Sequence, residues 1–247
     1  MGTWRFGTAD DSKERENQVL SLRRGIELGM NLIDTAEIYA SGRSEEVVGE
    51  AIKDIRDKVF IATKVAPGHL SHDDVIRSCR ASLRRLGTSY ADLYQVHWPN
   101  PMVPIRDTMS AMEKLVQDGL IRYIGVSNFN AKETDAARAA LTHNEIASNQ
   151  VEYSHRKREV ERDILPYCVK EKVTLIAYSP LDRGNIANSV PRSILQTYHM
   201  TPAQAMLNWV TRNEQVVAIP KAADKAHIEE NASSVSVRFK AAEYEQM

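Results

Sequence analysis

The sequence predicts a (β/α)8 TIM barrel, an α/β fold, as a single domain over residues 1–247. Three observations predict it. Short apolar, β-branched runs recur along the chain, each ending in polar residues. Amphipathic helical patterns lie between them, so that strand-helix units repeat at roughly 30-residue intervals, the length of a right-handed crossover. Finally, no strand is followed by G-x-G-x-x-G or a Walker loop. That weakens the rival reading, a doubly wound open sheet, which would normally hold a dinucleotide that way.

The runs cover residues 3–6, 31–36, 59–65, 91–98, 121–129, 147–153, 174–180 and 216–221. Near-continuous hydrophobicity marks strands buried on both faces, as in a parallel sheet. Between them, Val19, Leu22 and Ile26 share a helix face before Gly29. Val75, Cys79, Leu83 and Leu86 do so before Gly87, and Met109, Met112 and Val116 before Gly119. Each glycine sits where a helix end calls for a left-handed residue. Helix starts are marked as well. Ser71 is followed by Asp74 three residues on, and Thr201-Pro202-Ala203-Gln204 joins a capping threonine, a first-turn proline and a glutamine at the third position. No linker, low-complexity tract or second domain interrupts the pattern.

Bulk composition bounds the function. Of 247 residues, 43% are hydrophobic and 26% charged, with a net charge of −1. No basic field points to a nucleic-acid partner. No apolar run approaches the length of a membrane span, and no signal-peptide core opens the chain. The two cysteines, Cys79 and Cys168, have no paired spacing. They fit reduced thiols, so a cytoplasmic location without a zinc site or disulfide framework is expected.

In a barrel, chemistry gathers at the C-terminal ends of the strands. Four expected strand ends carry ionisable groups: Asp34 in LIDTA, Lys64 in FIATK, His97 in YQVHW and Lys221 in AIPK, with Tyr39 in the loop after Asp34. Singly, each has an ordinary explanation: a helix cap, a loop lysine, a satisfied core histidine, rim packing. Together they describe a proton donor beside a polarised carbonyl. Tyrosine ordinarily ionises near pH 10, and a nearby lysine favours the phenolate and lowers that value. Asp34 would hold Lys64, and His97 would donate to a carbonyl oxygen. No serine or cysteine is evidently paired with a base, and H-E-x-x-H is absent, so an external hydride would complete the reaction. Ser127, Asn128 and Gln150 offer hydrogen bonds to a carboxamide, Tyr178 an aromatic face, and Lys221 a charge for phosphate. Turn chemistry and core packing are the plain alternatives.

These segments resemble the aldo-keto reductase family over nearly the whole chain. GTW (2–4), NLIDTAEIYASGRSEEVVGEAI (31–52), FIATKV (60–65), LYQVHWP (93–99), IRYIGVSNF (121–129), NQVEYS (149–154), AYSPL (177–181) and AIPKAADKAHIEEN (218–231) carry the likeness. The order of DTAxxY, EExVG, lysine, histidine and Ser-Asn is its specific part. The resemblance implies a catalytic tetrad of Asp34, Tyr39, Lys64 and His97, with Tyr39 the general acid. It implies that NADPH, with NAD possible, delivers a hydride to an aldehyde or ketone without a metal. Ser127, Asn128 and Gln150 would bind the nicotinamide carboxamide and Tyr178 would stack on its ring. Thr3, Trp4, Ser179, Pro180, Leu181, Ile219, Lys221, His227, Glu230 and Asn231 complete the implied cofactor site, and Trp4 and Trp98 the substrate site.

Some departures bear on specificity. The family's N-terminal hairpin plug is expected to be missing, and only a short tail follows Asn231. Ala222 stands where a serine or threonine is common, and His227 where an arginine is common. The expected partner is a small-molecule carbonyl substrate, with no nucleic acid or membrane and the oligomeric state open. The alternative implied by the family is a cofactor-sensing binding module or channel accessory subunit with vestigial reductase activity. A metal-dependent barrel hydrolase would need several convergent ligands, and only His97 among the histidines falls at an expected strand end.

Overall fold

Among the described residues, seven strands pair in parallel, in chain order. They are β1 (Leu32–Asp34), β2 (Phe60–Val65), β3 (Ala91–Val96), β4 (Ile121–Ser127), β5 (Ile146–Glu152), β6 (Thr174–Tyr178) and β7 (Val216–Ala218). This computed structural model describes residues 1–186 and 190–247. The helices are α1 (Ser12–Glu27), α2 (Arg43–Ile52), α3 (His72–Leu86), α4 (Ile105–Gln117), α5 (Ala131–Ala139), α6 (Ile164–Glu171), α7 (Arg192–Tyr198), α8 (Pro202–Val210), α9 (Lys225–Ser233) and α10 (Ala241–Glu245). They follow the strands in the order of a (β/α)8 fold, and α1 packs against both α2 and α9.

Of the expected first strand, 3–6, residues 4–6 are a turn. Its place between β7 and β1 is taken by residues 1–3. Gly2 N donates to Pro220 O at 3.1 Å, Thr3 N donates to Asp34 O at 3.0 Å, and Asp34 N donates to Met1 O at 2.8 Å. Gly2 forms a parallel bridge with Asp34. A Cβ on Gly2 would lie 2.9 Å from Ile219 O, so this stave fits only without a side chain.

The helix signals behave as their chemistry requires. Ser71 caps α3 by accepting from Asp74 N. Thr201 and Gln204 form a reciprocal capping box with Pro202 in the first turn of α8. Gly87 ends α3 at φ +62°, and Gly29 and Gly119 are also left-handed. Val75, Cys79, Leu83 and Leu86 are all buried. Val75, Cys79 and Leu83 belong to an apolar layer with Met109, Met112 and Leu115 of α4, while Leu86 packs with Val47, Val48 and Ile52 of α2.

Side chains alternate across each strand. Ala62, Leu93, Ile176 and Ile219 pack together in the lumen with Leu32, Phe60 and Tyr178. The alternation that turns these residues inward also turns Asp34, Lys64, His97 and Gln150 inward, nearer the C-terminal ends. At the other end, Phe60 stacks on Tyr123 with centroids 6.1 Å apart. Two surface grooves run along the outer face of α3 and beside its C-terminal end, at Arg80, Arg84 and Gly87, and contain none of the expected site residues. Among the described residues, no helix is long and apolar enough to cross a membrane.

Candidate active site

Lys64 is the centre of the site. Its side chain is fully buried, and its ammonium makes three hydrogen bonds. Nζ donates to Asp34 Oδ2 at 2.7 Å, to Thr35 O at 2.8 Å and to the Tyr39 hydroxyl at 3.3 Å. All three ammonium hydrogens are therefore committed. Asp34 is 2% exposed. Its second oxygen, Oδ1, accepts from Gln150 Nε2 at 2.7 Å.

Tyr39 reaches Lys64 because its loop is held at several points. Tyr39 N donates to Ala36 O at 3.0 Å. Glu37 Oε1 accepts from Ala66 N at 2.6 Å and lies 3.0 Å from His69 Nδ1, which fastens the loop after β1 to the loop after β2. Directly after Tyr39 the chain turns through three left-handed residues, Ala40 (φ +49°), Ser41 (φ +55°) and Gly42 (φ +91°). For a residue with a side chain this region costs roughly 1–2 kcal/mol. The return into α2 is anchored by its first buried residues. Ser44 Oγ sits 2.8 Å from Thr3 Oγ1 and 3.1 Å from Thr35 Oγ1. Glu45 accepts from Thr63 Oγ1 and Arg85 Nε, both at 2.6 Å.

His97 continues the β3 ladder, with its N–H donating to Val65 O at 3.0 Å. Its ring meets Tyr39 edge-on, centroids 5.6 Å apart. Nδ1 is buried without a hydrogen-bond partner among the described residues. Burial, and then the Lys64 charge, push the imidazole down to about 3, so it is neutral at physiological pH.

The electrostatics of Tyr39 differ from the expectation. Burial raises its ionisation above the usual phenol value, and the Lys64 charge opposes that rise without overcoming it. Lys64 acts in the expected direction, but desolvation of the phenolate is the larger effect. For Lys64, burial pulls its ionisation down, yet Asp34 and Tyr39 together leave it raised. The site thus holds a lysine cation, a protonated phenol and a neutral imidazole. Cys79 and Cys168 are buried away from it, and burial pushes each thiol up to about 12.

A second group of expected residues meets at the ends of β4, β5 and β6. Ser127 Oγ donates to Gln150 O at 2.9 Å. Asn128, left-handed at φ +63°, donates through Nδ2 to His97 O and Ser127 Oγ, both at 3.0 Å. Its Oδ1 accepts from the Tyr178 hydroxyl at 3.1 Å. Ser179 (φ +50°), buried Pro180 and half-buried Leu181 form the turn after β6. Trp4 and Trp98 stand on the rim, 51% and 48% exposed. Thr3, by contrast, is fully buried, and its hydroxyl donates to Asp34 O at 2.9 Å. Ile219 lies in the lumen.

The remaining expected residues form a separate group on the last loop and α9. Lys221 is exposed, with Nζ 5.7 Å from the Phe6 ring centre. His227 is 70% exposed and 3.9 Å from Asp224, which caps α9. Glu230 is half-buried, and Asn231 is buried beside Ser234. None of these four forms a hydrogen bond to the tetrad.

Sequence reasoning did not foresee the Thr35 carbonyl, the Glu37 tie, the Ser44 and Glu45 anchors, or the contact between Gln150 and Asp34. Ser44 and Glu45 lie in the segment that carried the family likeness, so their pattern was visible without their contacts.

The chain is similar to known proteins over nearly its whole length. The model of the aldo/keto reductase family matches residues 1–193. The methylglyoxal reductase YeaE of Escherichia coli (strain K12) is 42% identical over 249 residues, spanning 98% of this chain and 87% of its own. The crystal structure of the thermostable aldo-keto reductase Tm1743 with the inhibitor epalrestat matches with a TM-score of 0.94 at 42% identity, covering 100% of this chain and 92% of that one. An aldo/keto reductase from Klebsiella pneumoniae, in complex with NADP and acetate, matches with a TM-score of 0.92 at 38% identity, covering 100% and 88%.

Proposed function

The chain belongs to the aldo/keto reductase family, and from that premise we propose that it reduces small aldehydes or ketones to alcohols with NADPH, using Tyr39 as the proton donor. One observation carries the reading. A buried lysine bonds at once to an acid and to a phenol, beside a neutral histidine.

The residues at the ends of β4 to β6 fit a nicotinamide. The Gln150 amide keeps its oxygen and one N–H uncommitted, and Tyr178 offers a flat face next to Asn128. Ser127, Asn128, Gln150 and Tyr178 would hold the ring end, and Lys221, His227, Glu230 and Asn231 the adenosine end. The NADP complex of the Klebsiella pneumoniae relative supports this choice of cofactor. When bound, NADPH would supply the hydride.

The protein's own part is to supply a proton and to stabilise charge. Because burial keeps the Tyr39 hydroxyl protonated, its proton is available at neutral pH. As that proton leaves, Lys64 stabilises the phenolate that forms, an interaction stronger in the transition state than before it. With Nδ1 sealed in the interior, His97 carries its proton on Nε2. That N–H donates to the carbonyl oxygen and orients it toward Tyr39. Trp4 and Trp98 would wall the substrate. The methylglyoxal reductase name of the Escherichia coli relative makes small dicarbonyls the first substrates to test.

The test is NADPH oxidation followed by nicotinamide absorbance over a panel of dicarbonyls, aldehydes, ketones and sugars. Sustained turnover is expected. A protein that binds NADPH yet stops after one burst, or reduces nothing on the panel, would be a cofactor-binding module instead.

A further inference from the structure

We propose that Gln150 is a positioning residue of the tetrad: it locks the Asp34 carboxylate from the opposite wall of the barrel and ties the cofactor pocket to the proton donor. The proposal rests on the reading above for its catalytic part only.

The argument begins with topology. β1 and β5 are not neighbours in the sheet, so the hydrogen bond from Gln150 Nε2 to Asp34 Oδ1 crosses the lumen. Both residues are 2% exposed. A carboxylate held only by Lys64 would be fixed at one oxygen and free to turn about its own axis. Here Lys64 holds Oδ2 from the adjacent strand and Gln150 holds Oδ1 from across the lumen. Fixing the acid fixes the ammonium, whose other hydrogens go to Thr35 O and the Tyr39 hydroxyl. The Tyr39 contact is the longest of the three at 3.3 Å, and thus the one most sensitive to a shift of Lys64.

Of the three side chains expected at a carboxamide, only Gln150 makes this connection. Both Asn128 amide hydrogens are spent on His97 O and Ser127 Oγ, and the Ser127 hydroxyl donates to Gln150 O. The Gln150 amide has one N–H on Asp34 and retains an oxygen and a second N–H. A carboxamide bound to those groups would engage the amide that fixes Asp34. Cofactor occupancy and the geometry of the proton donor are thereby linked through one side chain.

Two measurements test this. The first needs no cofactor. Urea unfolding of the wild type, Asp34→Leu, Gln150→Leu and the double variant forms a double-mutant cycle in which each single variant removes the hydrogen bond. The double variant should lose clearly less stability than the two singles combined. Additive losses would overturn the proposal whether or not the protein is a reductase. If Gln150→Leu does not fold, Gln150→Met takes its place.

The second compares kcat at saturating NADPH with the NADPH dissociation constant read by protein fluorescence. Removing a hydrogen bond to a charged group should lower kcat by about tenfold in Gln150→Leu even at saturation. Gln150→Glu should be worse than Gln150→Leu, because a carboxylate then faces Asp34. If Gln150 served the carboxamide alone, both variants would raise the dissociation constant and leave saturated kcat near wild type, and the positioning role would be refuted. A wild type without turnover would refute the reductase reading, while the unfolding cycle would still decide the Gln150–Asp34 link.

Discussion

Replacing Lys64 by methionine removes the cation that pairs with Asp34 and leaves a similar volume. In the structure this strips Asp34 Oδ2 of its 2.7 Å donor and Thr35 O of its 2.8 Å donor, both in the interior. Gln150 remains on the other oxygen. Removing one partner of a buried ion pair typically costs about 3–5 kcal/mol, because the other charge stays behind without compensation. The pair is shielded from solvent, at 0% and 3% side-chain exposure, so screening does not reduce that figure much. For a domain of this size each kcal/mol moves the melting temperature by roughly 2–4 °C, so a fall of about 6 to 20 °C is expected. Thermal and urea unfolding at neutral pH measure it. The control is Asp34→Leu/Lys64→Met, which removes both charges and should be more stable than Lys64→Met alone. A Lys64→Met protein as stable as the wild type, or a double variant worse than the single, would show that the pair is not a compensated buried charge. Activity adds a second check. The Lys64 charge opposes the burial-driven rise of Tyr39, so its loss should move the alkaline limb of any residual activity upward.

Three further outcomes are expected. Tyr39→Phe should lower kcat by about 10²–10⁴-fold while NADPH affinity stays nearly unchanged, since the hydroxyl supplies the proton and the nicotinamide contacts lie on other strands. Equilibrium binding and steady-state rates measured on the same preparation check it. Burial holds His97 neutral down to about 3 in the folded protein, whereas an unfolded histidine takes up a proton below about 6.5. The unfolded state therefore binds the extra proton in that window, and stability falls as pH falls from about 6.5 toward 3, with a slope contribution of up to about 1.4 kcal/mol per pH unit. In urea unfolding, His97→Gln should flatten the profile, and an unchanged slope would contradict it. Last, His227→Arg should raise the preference for NADPH over NADH by placing a permanent charge at the start of α9, measured as the ratio of dissociation constants. An unchanged ratio would remove His227 from the phosphate site.

The fold was legible because strands such as β2 and β3 are buried almost throughout and helices such as α3 and α4 show one apolar face, properties written locally in the side chains. Val75, Cys79, Leu83 and Leu86 share a helix face in the sequence, and all four are buried in the structure. The misplaced first strand shows where local reading stops. Residues 3–6 contain tryptophan and phenylalanine, which suit a strand, but the true stave is residues 1–3. It is fixed by how closely Gly2 approaches Ile219 O from the far end of the chain. That distance has no trace in the composition of the segment.

The site divides along the same line. Strand alternation makes it legible that Asp34, Lys64 and His97 share one inward face, because each ends a strand in phase with lumen residues such as Leu32, Ala62 and Leu93. What alternation does not give is depth and reach. The direction in which Tyr39 shifts depends on how far the phenol is buried, and there desolvation outweighs the lysine that the sequence made conspicuous. The partner of Asp34 Oδ1 depends on which strand lies across the barrel at the same height, a consequence of closure that no motif records. An acid at the mouth of β1 is therefore explained by two walls: the adjacent strand neutralises its charge, and the opposite strand fixes its orientation. Only with both does Lys64 have a fixed third hydrogen to spend on Tyr39.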